Sequence, residues 1–251
     1  MRKLLQILIL YFCHTALSTA DLPALRIAVP HFLPPYVMQA VQNKLSGFDI
    51  VMMTKLCKIM RRSCTFVPMS GEKLITAVAD HSVDLAIGAL TITLESYKQV
   101  NFTIPYLLSN VRFLDNVTQI SNKSAQQDQK TLYTNKKIGV TTGSSFAADL
   151  TQIPGMSKKI ITFHHSNEMI DALNHGRIDL ALMNNETTIY WQNNSAGKLI
   201  AVGDPFLLGF GLGIAVNPEN PGLATEINHA ILIYESTLDF KQLNDIYFDD
   251  P

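Results

Sequence analysis

VDLAIGALTITLESYKQVNFTIPY, residues 83–106, is the stretch whose reading decides the fold. Its first eight residues, Val83 to Leu90, are apolar apart from Asp84. A short apolar run between polar flanks suits a strand buried on both faces of a parallel sheet. Gly88 and Ala89 supply small residues where that strand should end. Thr93 follows as an expected helix N-cap, with Glu95 and Ser96 in the first turn. A buried parallel strand that feeds a helix through small residues is where α/β proteins bind small polar ligands.

The same design occurs twice. LITAVADHSVDLAI (Leu74–Ile87) aligns without gaps on MIDALNHGRIDLAL (Met169–Leu182), with Asp84 matching Asp179 and Ala86 matching Ala181. Each copy reads as a short helix, a polar turn and a strand. Another strand-and-loop unit precedes each: LRIAV (Leu25–Val29) before the first and KKIGVTTGSS (Lys136–Ser145) before the second. Two similar α/β lobes, each with ligand-type loops at its strand ends, predict a site between them.

Outside this duplication, Met1–Ala20 reads as a secretory signal peptide. Arg2 and Lys3 form a charged start, Leu4–Phe12 is almost wholly apolar, and Ser18 and Ala20 are small residues for cleavage near Ala20. The apolar run is too short to span a bilayer comfortably. Leu10, Tyr11 and Phe12 are too bulky for a lipoprotein signal ahead of Cys13. Residues 21–251 are ample for two lobes with proper cores. Without Arg2 and Lys3, 18 basic side chains face 21 acidic ones, a formal charge of −3, and no basic tract or aromatic–basic stripe exists. Nucleic acid is therefore not an expected partner. Ser121–Lys130 is the most polar stretch and reads as a loop.

Beyond the leader two cysteines remain, Cys57 at the end of an expected helix and Cys64 at the start of an expected strand. Exported cysteines at close spacing are expected to pair, two buried thiols being the alternative. Neither a metal site nor a cofactor is expected. His164 and His165 read as polar loop histidines, and the cysteines lack the further ligands that zinc requires. There is no G-x-S-x-G elbow and no H-E-x-x-H. Glu72 and Glu95 read as carboxylates near the cleft without a nucleophile beside them.

Five pieces carry a resemblance: LRIAV followed by PPY (Pro34–Tyr36), GFDIVMMTKLC (Gly47–Cys57), ALTITLESYKQVNFTIPY (Ala89–Tyr106), KKIGVTTGSS, and GRIDLALMNN (Gly176–Asn185). In this order and spacing they resemble type 2 periplasmic solute-binding proteins of polar amino acid ABC importers. The Cys57–Cys64 pair resembles the disulfide of the lysine/arginine/ornithine and histidine receptors in particular, and Phe240–Phe248 resembles the closing helix. The resemblance implies a Venus-flytrap fold of two Rossmann-like α/β lobes. Residues 21–110 and 212–251 would form lobe 1 and residues 111–211 lobe 2, with hinge crossings near Val111–Leu114 and Leu207–Gly213. It further implies a periplasmic monomer that hands a small polar ligand to an ABC importer permease in the inner membrane.

Carried over onto this sequence, the family's ligand contacts fall on Phe32, Leu33, Gly71, Ala89, Thr91, Ser96, Ser144, Ser145 and Asn184. Ala89 and Thr91 would act through backbone groups, with Thr91 adding a hydroxyl. Four of these positions depart from the pattern. The arginine that grips an amino acid's carboxylate is here Ser96, and the aspartate that holds its ammonium is here Asn184. The usual aromatic before the prolines is Leu33, with Phe32 beside it, and a bulky stacking residue is replaced by Gly71. Loss of both charges predicts a less charged ligand, or one held by other groups such as Ser144, Ser145 and their loop amides. Two other classes stay open: a fold-sharing enzyme of the cyclohexadienyl-dehydratase type, and a soluble sensor or adaptor.

Overall fold

The computed structural model describes residues 23–39, 44–120, 133–156 and 158–248. The expected leader, Cys13 and the polar loop 121–130 lie outside them.

Two five-stranded sheets organise the chain. The first has the order β4 (Cys64–Met69), β1 (Leu25–Pro30), β5 (Leu85–Ala86), β12 (Ala215–Val216), β6 (Asn101–Phe102). The second has the order β9 (Lys159–Phe163), β8 (Lys137–Thr141), β10 (Leu180–Asn184), β7 (Asn110–Asn116), β11 (Leu199–Leu207). In the first sheet β1 runs parallel to its neighbours β4 and β5, and in the second β8 runs parallel to β9 and β10, while β12 pairs antiparallel with β5 and β6, and β7 with β10 and β11. The fourth strand of each sheet lies at a crossing: β7 is the chain arriving from the first sheet, and β12 the chain returning from the second. A small antiparallel pair, β2 (Met38–Gln39) and β3 (Leu45–Ser46), stands apart.

The helices are α1 (Phe48–Ile59), α2 (Leu74–Ala79), α3 (Val117–Ile120), α4 (Phe146–Gln152), α5 (Ser166–Asn174), α6 (Asn185–Asn193), α7 (Pro221–Glu235) and α8 (Leu238–Phe248). Helix α1 covers one face of the first sheet with α7 and α8. Phe48 sits among Phe240, Tyr247 and Phe248, with ring centroids 6.3, 6.3 and 4.5 Å away. Cys57 of α1 and Cys64 of β4 form the disulfide, with Cα atoms 6.3 Å apart.

The duplication has a physical signature. Asp84 Oδ2 accepts from the Arg26 N–H at 2.6 Å while the Asp84 N–H donates to the Arg26 carbonyl at 2.9 Å. Asp179 does the same with Lys137, at 2.7 and 2.9 Å. In both lobes this aspartate fixes the third parallel strand against the first, just before the apolar residues enter the sheet.

One expectation changes. The helix expected after Thr93 is a single 3-10 turn, Ser96–Lys98. Val100, fully buried, and β6 begin almost at once, so the chain has no room for further turns. The Thr93 cap is present in compact form: the Thr93 N–H donates to Ser96 Oγ at 3.0 Å and the Ser96 N–H to Thr93 Oγ1 at 3.1 Å.

Candidate functional site

In open α/β sheets ligands collect beyond the carboxyl ends of parallel strands. Here the segments that leave those ends meet. His31 and Phe32 follow β1, Ser70 and Gly71 follow β4, and Gly88 and Ala89 follow β5. From the second sheet, Thr142 to Ser145 follow β8, His164 and His165 follow β9, and Asn184 ends β10. Together they line a cleft of about 710 Å³, a size suited to a small molecule.

All nine residues marked in the sequence lie on its wall, but their polar groups differ in availability. The Ala89 N–H, at φ +47°, already donates to Asp49 Oδ2 at 2.8 Å. Thr91 Oγ1 lies 3.2 Å from Ser109 Oγ. Ser96 Oγ is closed onto Thr93, as described above, and Ser144 Oγ donates to the Thr141 carbonyl at 2.7 Å. Ser145 Oγ and Asn184 Nδ2, by contrast, are buried with no hydrogen-bond partner. Asn184 is 5% exposed. A buried donor left unpaired costs about 1–3 kcal/mol, so such groups point to a ligand.

Two further wall residues escape the sequence reading. Thr187 is fully buried with an unpartnered Oγ1, and Asp149 has one buried, unpartnered carboxylate oxygen. Helical spacing carries a signal for both: Asp149 lies four residues after Ser145, and Thr187 three after Asn184, so each shares a face with a marked residue. Phe146 and Met183 add apolar surface.

Charge in the cleft is one-sided. Glu72, Glu95 and Asp149 line it, and among the described residues no lysine or arginine does. Lys98 instead pairs with Glu95 at 2.6 Å on an exposed surface. Glu72 reaches across to His164 Nδ1 at 3.1 Å, and that contact holds its carboxyl below the ordinary carboxylate range. Deeper in the first lobe, burial pushes Asp49 up to about 7, against the lowering effect of the Ala89 N–H and the Tyr106 hydroxyl.

Other contacts join the lobes beside the cleft. Tyr36 donates to Glu186 Oε2 at 2.6 Å, and Phe32 meets Trp191 edge-on with centroids 6.4 Å apart. Gly143, at φ +86°, packs so tightly on the Gly71–Glu72 backbone that a Cβ would come within 2.5 Å of the Glu72 nitrogen. The lobes are therefore drawn together. Among the described residues no group of three or more histidine, cysteine or acidic side chains could hold a metal ion.

A two-lobed α/β protein with a polar cleft between its sheets is the architecture of a periplasmic binding protein. The model of the bacterial extracellular solute-binding proteins, family 3, matches residues 25–250, and the chain belongs to that family. ABC transporter arginine-binding protein 1 of Escherichia coli K12 is 29% identical over 218 residues, 86% of each chain. The histidine-binding periplasmic protein of Salmonella typhimurium LT2 is 25% identical over 96% of this chain and 94% of its own. An arginine 3rd transport system periplasmic binding protein from Legionella pneumophila superposes with a TM-score of 0.80 at 28% identity, covering 90% of this chain and 99% of that one.

Proposed function

We propose that this protein is an exported receptor that captures a small polar ligand, an amino acid or related compound, between its lobes and delivers it to an ABC importer in the inner membrane. The supporting observation is the set of buried, unpartnered polar groups on one cleft wall: Asn184 Nδ2, Ser145 Oγ, Thr187 Oγ1 and Asp149 Oδ2. These groups recover their lost hydration only when a polar molecule sits against them. The nine marked residues, joined by Thr187 and Asp149, form the binding wall. The ligand favours the closed arrangement because only there do both lobes touch it, so binding shifts the population towards closure. The importer's permease then meets a closed monomer, residues 1–20 having been removed on export.

A thermal-shift screen over amino acids, amines, small carboxylates and short peptides tests this reading. A ligand at 100 times its dissociation constant adds about 2.7 kcal/mol of stability. Saturable binding without product formation is the expected result. Turnover of prephenate or arogenate would make the protein an enzyme on the same fold.

A further inference from the structure

Resting on the receptor reading, we infer that the ligand is a small organic cation whose remaining polar groups are neutral: an amine or guanidine that carries an amide, carbonyl or hydroxyl oxygen and no carboxylate. A ligand carboxylate wants a charged donor, and the cleft has no lysine or arginine on its wall among the described residues. Apart from the neutral Ser145 hydroxyl, which has no partner, the side chains that might substitute are committed. Ser96 is folded onto Thr93, the Ala89 N–H is held by Asp49, and Lys98 is paired with Glu95. The lining histidines His31, His164 and His165 are on the exposed rim, with His164 already on Glu72.

Negative charge, in contrast, is available. Glu72 and Glu95 have partners, but Asp149 keeps a buried carboxylate oxygen with none. It can accept from an ammonium or guanidinium. Asn184 Nδ2 is a buried neutral donor, with the Thr187 and Ser145 hydroxyls also unpartnered. Such a set matches an uncharged oxygen, because a neutral donor does not offset the desolvation of a carboxylate beside a fixed negative charge. Phe32, Leu33 and Phe146 supply apolar wall for the stem between the two ends.

Calorimetry of the purified protein tests this with three matched probes. They are arginine, argininamide (carboxylate replaced by amide) and agmatine (carboxylate replaced by hydrogen). Argininamide is expected to bind at least tenfold more tightly than arginine, and more tightly than agmatine. Asp149→Asn is expected to weaken argininamide at least tenfold at an unchanged melting temperature of the ligand-free protein. Arginine binding as tightly as argininamide overturns the inference. So does agmatine matching argininamide, which would leave the neutral oxygen without a role, and so does an indifferent Asp149→Asn. If no probe binds, the inference falls, while the receptor reading stands or falls separately on whether any compound in the broader screen stabilises the protein.

Discussion

Ser96 and Asn184 both line the cleft, and we propose that these two side chains set what it accepts. Ser96 stands where the resembling receptors carry a carboxylate-gripping arginine, and its hydroxyl is spent on capping the turn at Thr93. Asn184 is buried at the end of β10 with an idle amide donor. The double change Ser96→Arg with Asn184→Asp places a cation and an anion at the two positions. Charge-assisted hydrogen bonds contribute roughly 1.5–3 kcal/mol each, so arginine affinity should rise at least tenfold by calorimetry. Losing the Ser96 cap should cost about 1 kcal/mol in a denaturation midpoint. Unchanged arginine affinity in a folded double variant would mean that these side chains do not set ligand choice.

Among the elements, α1 is a support for the signature loop. Its first turn carries Asp49, fully buried, whose Oδ2 holds the Ala89 N–H. The folded carboxyl keeps its proton up to about pH 7, against an ordinary value of 3.8. Between those values the folded protein binds one more proton than the unfolded chain. Stability from this group is therefore complete below pH 4 and falls as pH rises to 7. At about 1.4 kcal/mol per pH unit the loss is at most ~4 kcal/mol. In Asp49→Asn the amide oxygen still accepts from Ala89 and nothing titrates. Urea midpoints at pH 5 and pH 8 should therefore lie closer together in the variant than in the wild type. The disulfide acts on the same helix: its short loop implies about 2–3 kcal/mol, which the double change of Cys57 and Cys64 to serine should remove.

These elements also show what a sequence can carry. The duplicated DLA strands were legible because burial on both faces demands an apolar run, and Asp84 and Asp179 repeat at the same offset. The length of the turn after Thr93 was not, because its local residues favour a helix and only the nearby sheet ends it. Nor was the commitment of the Ala89 N–H legible: its partner lies forty residues earlier, in a helix whose approach depends on packing. Asp149 escaped because a lone acid on a short helix looks like a solvated surface group.

For the whole molecule, the question is how two lobes joined by paired strands come to close. Strands β7 and β11 run antiparallel as neighbours, with Asn110 opposite Leu207 and Val111 opposite Phe206. We read this ribbon as the hinge, since bending there swings one sheet against the other while both stay intact. Closure must then be limited by what meets across the cleft, and the tightest meeting is Gly143 on the Glu72 backbone. A methyl on Gly143 would sit 2.5 Å from the Glu72 nitrogen, on a backbone at φ +86°. A methyl on Gly71, opposite, would meet nothing nearer than the Thr142 carbonyl at 3.9 Å. Gly143→Ala should therefore hold the lobes apart, raising the dissociation constant at least tenfold and enlarging the ligand-saturated radius of gyration in small-angle scattering. The positive φ should cost a further ~1 kcal/mol in the ligand-free protein. Gly71→Ala should leave affinity, radius and stability near wild type. If both variants close and bind alike, close approach of these two loops does not limit closure, and the latch must lie with Tyr36–Glu186 and Glu72–His164.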